Sequence, residues 1–197
     1  MIADSHINFL LNEISTRNCE KSYKELFVRL HDRLFRFACS ILQNNEDAEE
    51  VVSDFFIGIW QRRKSLPELE KPQLYFFVGV KNNSLNKLKA NKKRTQLQSQ
   101  DWLIDLDSVF FNPEELMMSE EFAKKIMVSI NELPPRCKLI FKLVKLDGLS
   151  YAGTAQLLEI SVKTVEAQMA IALRRLKSCI EFQNAFPEIH SLLATKK

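Results

Sequence analysis

Residues 149–177 read LSYAGTAQLLEISVKTVEAQMAIALRRLK, and no other stretch limits the fold as strongly. The pattern is a short helix, a tight turn and a longer helix with a basic end. That is the layout of a helix-turn-helix, whose second helix enters the major groove of DNA. Ser150 stands where it can cap the first helix and Ser161 where it can cap the second. Ala155 is small where the two helices must approach, and Leu158, Ile160 and Val165 supply the apolar wedge between them. On the second helix Val162, Val165, Met169, Ala172, Leu173 and Leu176 fall on one side at helical spacing. Lys163, Thr164, Glu166, Ala167, Gln168 and Ala170 fall largely on the other, and Arg174, Arg175 and Lys177 offer phosphate contacts. Two residues fit less well. Glu159 occupies the turn position that usually holds Gly, where a left-handed backbone costs about 1 kcal/mol. Thr154 stands where an aliphatic side chain would pack better. An ordinary amphipathic helix pair in an all-helical protein would share much of this pattern.

The rest of the chain also reads as helix. It has 197 residues, enough for one or two small domains, and its 46% apolar content supports real cores. Only four Gly and six Pro occur, fewer than sheets and their turns usually need. The net charge of +3 is too mild to identify a partner, but its distribution is informative. Residues 71–100 carry Lys71, Lys81, Lys87, Lys89, Lys92, Lys93 and Arg94 without an acid; residues 101–121 carry only acids. A basic block beside an acidic one suggests a polyanion-binding surface followed by a linker that avoids the anion.

Cys19, Cys39, Cys137 and Cys179 show no paired spacing, which suggests neutral thiols in a reducing cytoplasm. His6, His31 and His190 are isolated, so no metal site is expected, and no cofactor motif is present. MIADSHINF lacks the pattern of a secretory signal, and no apolar run approaches the roughly 20 residues of a membrane span. The expectation is a cytoplasmic protein without membrane insertion.

Periodicity predicts an amphipathic helix over 22–42, with Leu26, Leu30, Leu34, Phe37, Ala38 and Ile41 inward. QNNE at 43–46 is a turn and cap. The next helix, 47–62, buries Ala48, Val51, Val52, Phe55 and Ile59, with Phe56 and Trp60 flanking; Glu50, Ser53, Asp54, Ile57 and Gln61 share a different face. A loop at 64–72 leads to a third helix at 74–93, with a core stripe of Leu74, Phe77, Val78, Leu85 and Leu88. Residues 20–95 are therefore expected to form one domain, 96–111 a flexible linker and 112–180 a second domain. NPEE at 112–115 has an Asn cap, a first-position Pro and first-turn acids, a helix start running to about 131. LPPR at 133–136 starts another helix, which stops at Asp147-Gly148. The fold class is all-α: two small helical domains, the C-terminal one with the helix-turn-helix.

On the third helix Tyr75, Asn82 and Asn86 lie together near Lys89. An aromatic ring with amides beside lysines suits single-stranded DNA, because the ring stacks on unpaired bases and the lysines hold the backbone. A rim tyrosine and a solvated basic face would read the same way.

Taken together, these segments resemble the extracytoplasmic-function group of bacterial sigma factors, in the sigma-70 family. DAEEVVSDFFIGIW at 47–60 looks like that family's helix for binding core RNA polymerase. LYFFVGVKNNSLNKLKANKKR at 74–94 looks like its −10 helix. NPEELMMSEEF, ELPPR and DGLSYAGTAQLLEISVKTVE look like its region 4, and the resemblance spans about 23–178 in the right order. It implies that Glu50, Ser53, Asp54, Ile57 and Gln61 meet the clamp helices of the largest polymerase subunit. It implies that the 64–72 loop, with Leu66 and Lys71, helps form a pocket for a base flipped from the −10 element, with Asn82 as one wall. It implies that Glu166, Ala167, Gln168 and Ala170 read the −35 element while Lys163, Thr164 and Arg174 hold phosphates. The family commonly has a basic residue where this chain has Glu166, so an unusual −35 preference is expected. It also implies promoter DNA as a partner and control by an anti-sigma factor. The activity implied is initiation of transcription with no catalytic residue in the chain itself. The alternative is a helix-turn-helix regulator that binds an operator directly. That reading needs a dimer seam or a ligand domain, and neither pattern is evident; an enzyme would need a nucleophile–base pair, phosphate loop or metal set, also not evident.

Overall fold

The computed structural model describes residues 4–66, 68–92 and 128–176. The expected linker at 96–111, the NPEE helix start and Cys179 lie outside the described residues. Among those described there is no strand, and the helices fall into two units.

The first unit holds α1 (Asp4–Arg17), α2 (Glu20–Leu42), α3 (Asn45–Gln61) and α4 (Pro72–Lys92). The inward stripes expected of α2 and α3 are buried as read, from Leu26 to Ile41 and from Ala48 to Ile59. Between them the chain turns through Gln43, in the left-handed region, and Asn44 caps α3 by accepting from the Asp47 N–H at 2.9 Å. Glu46 and Asp47 then complement the positive end of the helix. Aromatic rings lock the layers: Phe37 meets Phe77 edge-on, and Phe55 meets Phe76 likewise. Tyr23 lies against Phe56 and Trp60 and donates its hydroxyl hydrogen to the Phe56 carbonyl at 2.9 Å. A close approach fixes one glycine. A Cβ at Gly79 would run into the Phe55 ring, so α4 can lie on α3 only with no side chain there.

The structure departs from the expected reading in two ways here. A helix precedes residue 20: α1 buries Ile7, Leu10, Leu11 and Ile14 and packs on α2 and α4. And α4 is rotated from its expected stripe. Leu74, Phe76, Phe77, Val80, Lys81 and Ser84 are buried, while Val78, Leu85 and Leu88 are only half-buried. Nearly every residue of LYFFV is apolar, so the sequence alone leaves the phase of that turn open.

In the second unit residues 128–131 are helical, followed by α5 (Pro135–Phe141) and one wide π turn (Lys142–Leu146). Then come α6 (Tyr151–Leu158) and α7 (Val162–Leu176), the two helices of the expected helix-turn-helix. Both predicted caps form: Ser150 Oγ accepts from the Gly153 N–H and Ser161 Oγ from the Thr164 N–H, each at 3.0 Å. Glu159 takes the left-handed conformation (φ 56°), and the Ile160 N–H closes the turn on the Ala155 carbonyl at 3.0 Å. Val162, expected inward, is 42% exposed; Val165, Met169, Ala172, Leu173 and Leu176 hold the helix down instead.

Thr154 is fully buried, and its hydroxyl has no hydrogen-bond partner among the described residues. Its desolvation is therefore uncompensated. Thr154→Val keeps the shape and removes the hydroxyl. It is expected to stabilise the second unit by about 1–2 kcal/mol in urea denaturation. An unchanged or lower midpoint would show that the hydroxyl is satisfied in solution.

Candidate nucleic-acid and protein interfaces

The capped start of α7 and its buried stripe hold one face outward. Lys163, Glu166, Ala167, Ala170 and Arg174 are exposed on it. Thr164 is half-buried, with its hydroxyl 2.8 Å from that of Ser161. Gln168 differs from the others. It is half-buried, and its Oε1 accepts from the Cys137 thiol of α5 at 2.7 Å. Burial pushes the Cys137 thiol up, which keeps it protonated and able to donate. The carboxamide therefore leans toward the core rather than straight out. Tyr151 is a neighbour that the sequence did not mark. Its phenol is raised first by burial and then by the charge of Glu166, which places it within electrostatic reach of that carboxylate. Chemically the face presents one long acid and two methyls between cations, suited to a duplex groove with its phosphates on either side.

On α4, Tyr75, Asn82, Asn86 and Lys89 follow one another at helical spacings along one line. The amides and Lys89 are exposed, and Tyr75 is half-buried with its ring tilted against Phe55. Ahead of the helix, Leu66 is half-buried and Lys71 exposed. The basic block does not form one continuous anion-binding surface over these residues. Lys81 is buried. Lys87 is spent on α3: its ammonium lies 2.6 Å from Glu50 and 3.4 Å from Asp47. Hydrogen bonding to Glu50 is the main cause of its raised pKa. Asn91 adds a bond to Asp47 at 3.0 Å. Charge counting could not separate a lysine with an internal partner from one open to phosphate.

On α3, Glu50, Ser53, Asp54, Ile57 and Gln61 also run along one side. Asp54, Ile57 and Gln61 are exposed, Ser53 is half-buried, and Glu50 is exposed but holds Lys87. Ile57 is 50% exposed in mid-helix, a large apolar side chain flanked by polar ones. The helix ends at Arg62 and Arg63, the latter lying over the Trp60 ring at 4.4 Å.

The chain matches the family model for sigma-70 region 2 over residues 26–94 and that for sigma-70, region 4 over residues 123–176. Among curated relatives it is 25% identical over 158 residues to an ECF RNA polymerase sigma-E factor of Escherichia coli, covering 76% of this chain and 82% of that one. It is 16% identical over 180 residues to the ECF RNA polymerase sigma factor SigK of Mycolicibacterium vanbaalenii, covering 91% of each. Among solved structures, CnrH in complex with the cytosolic domain of CnrY aligns with a TM-score of 0.50 at 16% identity, over 89% of this chain and 97% of that one. That last likeness is one of fold. The region 2 match falls on α2–α4 and the region 4 match ends with α7, so all three outward helix faces lie inside matched segments. The chain belongs to the sigma-70 family, as a sigma factor of the extracytoplasmic-function group.

Proposed function

We propose that the chain brings core RNA polymerase to promoters through three surfaces on its two units. Asp54, Ile57 and Gln61, with Ser53 and Glu50 at the margin, form a helix face for the clamp helices of the largest polymerase subunit. The acids meet basic partner residues, and Ile57 supplies the apolar centre. Tyr75, Asn82, Asn86 and Lys89, with Leu66 and Lys71 of the preceding loop, hold the opened −10 strand. Lys163, Thr164 and Arg174 hold phosphates at the −35 element while Glu166, Ala167, Gln168 and Ala170 face the bases. The polymerase makes the bonds, and this chain contributes no catalytic group. A cytoplasmic location follows from that partner and fits the free thiols of Cys19, Cys39 and Cys137. An anti-sigma protein that covers a polymerase-binding face completes the reading.

The observation that carries the proposal is the pairing of buried and outward faces on α3, α4 and α7. Each helix spends one side on the core and turns outward side chains of the chemistry its expected partner requires. In-vitro transcription with bacterial core on a fragmented genomic DNA library is expected to give discrete start sites that depend on this chain. No complex with core, or no transcript from any template, would end the proposal.

A further inference from the structure

Among its described residues the 63–71 segment has one short 3-10 turn, Arg63–Ser65, and no other helix or strand. Its path is fixed from outside, at three points, by the α1 segment. At the start, the Arg63 guanidinium Nε donates to Asn18 Oδ1 at 2.7 Å, and Asn18 is held in the left-handed turn between α1 and α2 (φ 51°). In the middle, Asn8 Nδ2 donates to the Leu69 carbonyl at 2.8 Å. At the end, the Gln73 N–H donates to Asp4 Oδ1 at 3.2 Å.

This last bond fills a gap in the sequence. The residue before α4 is Lys71, whose side chain has no acceptor, and Pro72 has no N–H to satisfy. A helix usually takes its cap from the residue at its own start. Here the acceptor comes from a different helix, one whose other face is pinned to the core by Ile7, Leu10, Leu11 and Ile14.

We propose that α1 is the positioning element of the −10 pocket, with Asn8 and Asp4 setting where Leu66 and Lys71 stand. Leu66 lies between the Arg63 and Leu69 anchors and Lys71 between the Leu69 and Gln73 anchors, so these bonds limit how far either can move from α1 and the turn that follows it. Asn8 and Asp4 touch no nucleotide; they act through the loop. The inference rests on the reading of this loop as the base pocket proposed above.

The test uses the full chain with bacterial core and a promoter recovered from the genomic library, in four versions that differ in the flipped −10 base. Asn8→Leu keeps the size and removes the donor; Asp4→Ala removes the acceptor, and Asp4→Asn retains it. Asn8→Leu and Asp4→Ala are expected to flatten the preference among the four bases roughly fivefold to tenfold, the weight of one lost hydrogen bond. Core association should be unchanged, and Asp4→Asn should keep the original preference. Asn82→Ala is run in parallel. Unchanged preference in Asn8→Leu and Asp4→Ala while Asn82→Ala flattens it would overturn this inference alone. Unchanged preference in all of them would overturn the pocket reading and this inference with it. A loss of core association in step with the loss of preference would reduce α1 to a support for the whole unit and overturn its specific role.

Discussion

Ile57→Asp is expected to weaken association with core polymerase by about 30-fold or more, the mark of an interface hot spot near 2 kcal/mol. Leaving Ile57 in water is unfavourable. Half of its surface is in solvent, in the middle of a helix whose opposite side is packed with Val52, Phe55, Phe56 and Ile59. A lone exposed apolar residue is ordinary on a protein surface. Ile57 is not placed at random, however: Asp54 and Gln61 stand one turn away on either side, an apolar centre with a polar rim. An aspartate there loses the burial and places a carboxylate in the centre of the contact. The fold should tolerate it, since the side chain carries little of the core. Val28→Asp is the control. Val28 is more exposed still, at 67%, and belongs to α2, not to the proposed α3 face. It should leave association unchanged. Asp54→Ala, at the rim, should act mainly on the association rate and on its salt dependence. Fluorescence anisotropy of labelled protein titrated with core separates these cases, and equal affinity for Ile57→Asp and the parent would remove α3 from the interface.

Which parts of the fold could be read beforehand follows from how residues signal their surroundings. Stripes such as Leu30–Leu34, with His31, Asp32 and Arg33 between them, and Val52–Phe55, with Ser53 and Asp54 between them, set their own phase, so α2 and α3 face as expected. Caps are local, and Asn44, Ser150 and Ser161 lie next to the amides they satisfy. The first helix is legible too, because Ile7, Leu10, Leu11 and Ile14 have helical spacing. The rest depended on distant partners. Lys87 reads as a DNA contact until Glu50, 37 residues away, is found beside it. Gln168 reads as a free base reader until the Cys137 thiol appears on it. Asn8 and Leu69 are 61 residues apart, and neither has a neighbour in sequence that hints at the other. Side chains that answer to their own helix were legible; those that answer to another helix were not.

Glu166→Arg is expected to convert the −35 preference at the base it faces from cytosine to guanine. The exposed face of α7 has few side chains able to reach a base edge. Ala167 and Ala170 offer only methyl groups, which suit a thymine methyl, and the carboxamide oxygen of Gln168 is engaged by Cys137. Glu166 is the long exposed group among the four base-facing residues, so it should dominate discrimination. A carboxylate accepts from cytosine N4 but repels the acceptor edge of guanine, whereas a guanidinium grips guanine O6 and N7 together. Each such pairing is worth about 1–3 kcal/mol, so exchanging one for the other swings the ratio of the two bases by both contributions, roughly a hundredfold near the lower middle of that range. The added positive charge should also raise affinity for every duplex and steepen the salt dependence, a sequence-independent effect. Site selection with reconstituted holoenzyme separates the two, because only the base ratio at one position should invert while neighbouring positions keep theirs. A second observable checks that the carboxylate has been removed from its place. The Tyr151 phenol, held up first by burial and then by Glu166, should titrate at lower pH in the variant. If the phenol moves and the selected base does not, Glu166 lies beside Tyr151 but outside the reading surface, and the −35 preference is set elsewhere on α7.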